Sequence, residues 1–422
     1  MPMTRRITSP DFSFLRARFP SLEREIDGRP CVFADAPGGT QVPDVVADAM
    51  TTYFRTSNAN AGGGFITSAE TDALIAEARR AGADFLGAQA DEIVFGPNMT
   101  TLAFALSRSL ARTLGPGDEV VVTKLDHDAN IAPWVAAAED SGATVRYVDF
   151  STEDCTLDPE VFAGALGPKT RLICFTLASN AVGSITRAPE LIELARETDA
   201  LVIADAVHIA QHRSIDAAAL GVDFLFCSPY KFFGPHLGMM FGRNALLKEL
   251  SPYKVRPSHD DAPDRWETGT ANHEALAGLV AAVDYIAGIG DPHGSGGADR
   301  RLSVIAGMQA IRAYESSLSA RFLEGVSSLG NVSLYGISDP ARVDARTPTF
   351  AVRAGSHSPR ATAEELGRRG IFVWDGNYYA LALMEELDLE DTGGAVRIGF
   401  CHYNTIEEID RVIDELDQLS RS

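Results

Sequence analysis

Seven short apolar runs, at 92–95, 119–123, 144–148, 171–176, 201–205, 224–228 and 238–241, alternate with stretches of helical periodicity. In 189–197, for example, Leu191, Ile192 and Leu194 fall on one helical face. Strands that are apolar throughout and separated by helices predict a mainly parallel sheet covered on both faces. Ligands bind such sheets at the carboxyl ends of the strands. A Gly-rich stretch at 288–300 follows a helical pattern over 274–286 and precedes a long amphipathic one over 302–329. It predicts the hinge into a second, smaller domain, with strands near 332–335, 349–352, 372–374 and 395–400. The closing 405–419 segment repeats Ile406, Ile409, Val412, Ile413 and Leu416 at helical spacing. The expected organisation is an N-terminal segment 1–30 packing on the small domain, a large domain 31–287, and a small C-terminal domain 288–422. No internal repeat or low-complexity tract interrupts it.

Chemistry concentrates at the strand ends. The run 201–205 finishes on Asp205, with His208 three residues on, and the run at 222–227 leads into Ser228-Pro229-Tyr230-Lys231 and a Gly-Pro turn. A lysine amine and a carboxylate at the ends of neighbouring strands are what pyridoxal 5'-phosphate (PLP) requires. The amine holds the aldehyde as a Schiff base, and the acid keeps the pyridine nitrogen protonated so that the ring accepts electrons. His127 and Asn180 follow the runs at 119–123 and 171–176, which sets them at the same edge.

Bulk composition narrows the partners. Net charge is −21, from 37 basic and 58 acidic residues, which disfavours non-specific binding to nucleic acid or an anionic membrane. The five cysteines, at 31, 155, 174, 227 and 401, are odd in number and scattered, without zinc spacing, so neither a disulfide framework nor a metal is expected. His273-Glu274 opens like a zinc-protease motif but position 277 is Ala, so the second histidine is missing. No apolar leader core opens the chain and no run of about 18 apolar residues occurs in it, so a cytoplasmic protein is expected.

From the segment 33–43 to 397–410, in order, the chain resembles the class V aminotransferases of PLP fold type I, and within them the group II cysteine desulfurases. The resemblance implies an α/β fold: a large domain with a mainly parallel sheet covered by helices, plus a smaller α+β C-terminal domain. It implies that His127, in Asp-His-Asp-Ala-Asn, stacks on PLP and that Asn180, after Ser179, hydrogen-bonds near the phenolate oxygen. Lys231 becomes the Schiff-base lysine and Asp205 the pyridinium partner; Lys231, His127 and Asp205 form the catalytic set. His208 stands where desulfurases usually have Gln, and a ring N–H can donate to the phenolate as an amide does. Thr100 and Thr101 open a helical run and, with Ser228, are expected at the phosphate. Thr270 is expected at the phosphate of a neighbouring subunit, implying a homodimer with shared active sites. Arg397 matches the arginine that holds the substrate carboxylate, a role suited to its planar fork.

One loop departs from the family. Desulfurases carry a nucleophilic Cys after a Gly-Ile-x-Val-Arg strand; this chain has Gly370-Ile371-Phe372-Val373-Trp374, then Asn377, Tyr378 and Tyr379, with Tyr379 at the Cys position. A phenol cannot accept sulfane sulfur. Trp374, Asn377, Tyr378 and Tyr379 are therefore expected to line the substrate entrance, and Cys227 and Cys401 to be core thiols. The expected function is a PLP enzyme acting on an amino acid by β-elimination, a C–S lyase that makes no protein persulfide. Transamination, epimerisation, a desulfurase using another Cys, and an inactive PLP-fold scaffold are the alternatives.

Overall fold

The computed structural model describes residues 12–291 and 299–421; the rest of the expected 1–30 segment and most of the 288–300 hinge lie outside the described residues. Fifteen strands occur among those described: β1 Glu25–Ile26, β2 Arg29–Pro30, β3 Val32–Phe33, β4 Ile93–Gly96, β5 Glu119–Thr123, β6 Thr144–Val148, β7 Thr170–Thr176, β8 Leu201–Asp205, β9 Phe224–Cys227, β10 Gly238–Gly242, β11 Val332–Tyr335, β12 Thr349–Ala354, β13 Ile371–Phe372, β14 Trp374–Gly376 and β15 Ala395–Gly399.

Seven of them form the central sheet in the order β4-β10-β9-β8-β7-β5-β6. Only β10 runs antiparallel to its neighbours there. The apolar-throughout runs are explained by the pleat. Val121 of β5, Ala204 of β8 and Leu225 of β9 enter one core, whereas Val120, Ile203 and Phe224 enter the core on the opposite face. The α/β fold expected from the sequence is the one observed. Helix Met99–Leu110 begins just beyond β4, so its first turn meets the same sheet edge as the loops after β5, β7, β8 and β9.

The C-terminal part carries a four-stranded antiparallel sheet, β11-β12-β15-β14, covered by helices Arg300–Ser327 and Ile406–Ser420. Thr405 and Glu408 close the second helix with a reciprocal capping box. Two boundaries differ from expectation. Val32 and Ala34 enter the C-terminal core and β3 pairs with β13, while Cys31 and Phe33 enter the core of the large unit, so β3 lies between the two. The strand expected at 372–374 is two strands: β13 joins β3, and β14 joins β15. In the N-terminal segment Arg16 pairs with Glu408 at 2.6 Å and Phe12 stacks on Tyr314. Phe19, however, packs on Phe233 and Tyr285, which precede the hinge, so the segment touches both units.

Candidate active site

Two connected chambers open at the carboxyl edge of the central sheet. The inner one is lined by Thr100, His127, Asn180, Asp205, His208 and Lys231, among others. The outer one shares His127, Asn180, Tyr230 and Lys231 and continues to Trp374, Asn377, Tyr379, Glu390 and Arg397. The sheet therefore gathers most of the residues singled out in the sequence.

In the inner chamber Asn180, Asp205, His208 and Lys231 are buried, and Thr100, His127 and Tyr230 half-buried. Burial disfavours the charged amine of Lys231, and the positive Arg397 adds to this, while Asp205 and Asp35 oppose; its pKa falls to about 7. Nζ donates to the Pro37 carbonyl. Asp205 is raised by burial to about 6, against the pull of the Val207 amide, which donates to its Oδ1 at 2.7 Å, and of Lys231. His127 is pushed down to about 3 by burial and by Lys231 and Arg397, so its ring is neutral. Its Nδ1 accepts from the Ala129 amide at 3.0 Å, which fixes the ring plane.

These residues fit PLP. An uncharged aromatic, a carboxylate and an amine line the chamber; Ser228, at the turn into Lys231 and outside that lining, has a buried hydroxyl with no partner among the described residues. Thr100 adds a hydroxyl at the first turn of helix Met99–Leu110, where anions are favoured.

Two expected residues sit differently. His208 lines the chamber, but its Nε2 meets the Thr347 and Thr349 hydroxyls, each at 3.1 Å, and its Nδ1 meets Gln211 at 3.4 Å. A buried ring must satisfy both nitrogens, and here the protein does so, leaving none to donate to a phenolate. Thr101 lines a separate pocket together with Thr270, and its amide is taken by the Asn98 cap at 2.8 Å. Thr101 does not join the inner chamber, and Thr270, expected at a neighbouring subunit's phosphate, lies outside its own chain's chamber.

The outer chamber is built on a loop. Tyr378 and Tyr379 both adopt left-handed backbone, with φ of 54° and 59°, which costs a non-glycine residue about 1 kcal/mol or more. The site holds them there. Asn180 Nδ2 donates to the Tyr378 carbonyl at 3.0 Å, and the Asp128 amide to the Tyr379 carbonyl at 2.7 Å. Tyr379 stacks on His127 with ring centroids 5.4 Å apart, yet its side chain is largely exposed. Arg397 is buried, with its guanidinium 4.4 Å above the Tyr378 ring and Nη1 donating to the Asn180 carbonyl at 3.0 Å; Nε has no partner among the described residues. It is not a surface salt bridge. Trp374 lies against Gly38, where any Cβ would collide with the indole.

Sequence patterns did not single out Tyr230, which lines both chambers, or Asp35 and Asp126, whose carboxyls burial raises to about 6 and about 8. Asp126 accepts from Asn130 at 2.7 Å, and Asn130 accepts in turn from Trp134 at 3.0 Å, so it braces the loop carrying His127. Its place beside His127 in the chain was the available signal. All five cysteines are buried, and burial pushes the Cys227 and Cys401 thiols well above their ordinary pKa. Among the described residues no cluster has the makings of a metal site, and no helix is long and apolar enough to cross a membrane.

Comparison with known proteins agrees with this geometry. The family model described as aminotransferase class-V matches residues 32–412. A protein named cysteine desulfurase from Klebsiella pneumoniae (strain 342) is 30% identical, over 96% of this chain and 98% of its own length. Among solved structures, an apo cysteine desulfurase from Thermococcus onnurineus NA1 superposes with a TM-score of 0.83 at 25% identity, covering 93% of this chain and 95% of its own. A cysteine desulfurase from Escherichia coli in an S-sulfonic acid form gives 0.81 at 23% identity, covering 97% and 98%, a likeness of fold. The chain therefore belongs to the class V aminotransferase family and is a fold type I, PLP-dependent enzyme of the cysteine desulfurase-like kind.

Proposed function

We propose that the enzyme cleaves the C–S bond of an S-substituted cysteine by β-elimination, without sulfur passing through a protein thiol. The observation that carries this reading is Tyr379, which occupies the mouth of the outer chamber on the loop where desulfurases present a thiol. The five cysteines are buried, and burial holds the Cys227 and Cys401 thiols protonated. The balanced reaction takes an S-substituted cysteine and water to pyruvate, ammonia and a free thiol.

PLP, when bound, supplies an electron sink for a bond at the substrate's Cα. The chain's own residues do the rest. Arg397, charged and with an unused Nε, takes the substrate carboxylate and so orients the Cα–H. Lys231, with a pKa near 7, is part neutral at physiological pH and can take a proton at Cα and return one. Asp205 stays mainly ionised at that pH, and a cationic ring nitrogen beside it would favour its charge further. His127, neutral, contributes a flat face rather than a charge.

The reading includes a cytoplasmic homodimer. Thr270 lies outside its own chain's inner chamber, where it is free to serve a second copy, and Phe54, Phe65 and Ile66 are exposed at the ends of two neighbouring helices. Sedimentation of the holoenzyme checks the dimer; a monomer with full activity removes the shared site.

The function itself is tested by incubating holoenzyme with S-substituted cysteines and with cysteine, then measuring pyruvate, ammonia and thiol and mapping modified cysteines by mass. Stoichiometric pyruvate and thiol with unmodified cysteines is expected. A persulfide on Cys401, lost with sulfur release in Cys401→Ala, returns the enzyme to the desulfurases. Keto acid formation without loss of the side chain makes it an aminotransferase.

A further inference from the structure

The outer chamber is electrically two-ended. Lys231 and Arg397 stand at its inner end. Its lining also carries Asp375 and Glu390, together with the exposed aromatic side chains of Trp374 and Tyr379. The two carboxylates differ in how they are satisfied. Asp375 has Arg360 at 3.3 Å, an arginine that is itself largely exposed. Glu390 receives only the Asn377 amide, at 3.0 Å on Oε1; its Oε2 is buried and has no partner among the described residues. Arg353 of β12, which reaches the turn after Glu390, is spent on the Thr392 and Gly394 carbonyls and the Thr392 hydroxyl.

From this arrangement we infer that Glu390 selects substrates whose side chain ends in a cationic nitrogen. The inference rests on the assignment of the outer chamber to substrate. An apolar substrate tail would leave the two wall carboxylates without a counter-charge from the substrate. An anionic tail would meet two like charges. An ammonium group is attracted by both Glu390 and Asp375, which line the chamber, and gains from the aromatic rings of Trp374 and Tyr379 beside them. The α-carboxylate of the same molecule goes to Arg397 at the other end, so one zwitterion with a distal amine matches the whole slot. Asn377 then serves as a brace. Its Oδ1 accepts from the Tyr379 amide at 3.1 Å while its Nδ2 holds Glu390, so it positions the carboxylate relative to the loop.

The test compares S-(2-aminoethyl)cysteine with its isostere S-propylcysteine, and S-(3-aminopropyl)cysteine with S-butylcysteine, on PLP-loaded enzyme. Dissociation constants come from calorimetry and kcat/KM from thiol release. In the native enzyme the amine-bearing member of at least one pair should be preferred by about tenfold, the scale of one hydrogen bond to a charged group. In Glu390→Gln that preference should fall to near unity. Being a ratio measured on the same preparation, it is unaffected by any loss of folded enzyme. Equal treatment of both pairs by the native enzyme, or a preference kept intact in Glu390→Gln, overturns the inference. If no thiol is released from any of the four compounds while the calorimetric preference appears and vanishes as stated, elimination is refuted and the role of Glu390 stands.

Discussion

The inner and outer chambers share four residues and are made in opposite ways. The inner chamber is assembled from the ends of parallel strands whose side chains are buried on both faces, so its carboxylate, imidazole and amine are fixed by the sheet. The outer chamber is a loop of two left-handed tyrosines, an exposed indole and a half-satisfied glutamate, held in place by hydrogen bonds to Asn180 of the inner chamber and to Asp128 on the turn after His127. Chemistry common to a family belongs on a scaffold that cannot move. Substrate choice belongs on a loop that can change without disturbing it.

Substitutions should separate the two. Lys231→Ala has the largest effect expected: the folded protein should lose the visible absorbance of lysine-bound cofactor and all turnover. An unchanged spectrum would place the cofactor on another amine. Asp205→Asn keeps shape but not charge, so PLP should still bind while turnover falls by orders of magnitude; near-normal rates would show that another group serves the ring. Arg397→Lys loses the planar fork, and kcat/KM should drop by about 10- to 100-fold, mostly through KM. A fall confined to kcat would give Arg397 some role other than holding a carboxylate.

The pKa of Lys231 provides a gentler probe of the inner chamber. Its neutral form is the nucleophile toward the PLP aldehyde, and burial depresses its pKa to about 7. The rate of PLP uptake by apoprotein should therefore rise with pH up to roughly neutrality and level off above it. A rate still climbing tenfold per pH unit at pH 9 would mean an ordinary, solvated amine. The smallest effect is expected from Tyr379→Ala. Its side chain is 72% exposed, so stability should change by less than about 1 kcal/mol and the cofactor absorbance should hold, while the ranking of substrates shifts. Loss of cofactor in that variant would break the division between the chambers.

What the sequence by itself determined was the frame. Runs at 119–123, 201–205 and 224–228 announced strands because their period and length are local properties, and the loop after each strand had to land on one edge of a parallel sheet. Strand order along the chain was therefore enough to bring His127, Asn180, Asp205 and Lys231 to a common edge, where they line one chamber. Tertiary packing alone decided the rest, because the deciding contacts join residues far apart in the chain. The ring nitrogens of His208 are engaged by Thr347, Thr349 and Gln211, Thr101 is drawn to a second pocket with Thr270, and the 372–374 strand is split between β3 and β15. Glu390 comes beside Asn377 only because the turn that carries it folds back on the loop. Periodicity reports which face a residue takes within its own element; which distant hydroxyl, carbonyl or carboxylate satisfies it is set when buried polar groups must all find partners at once.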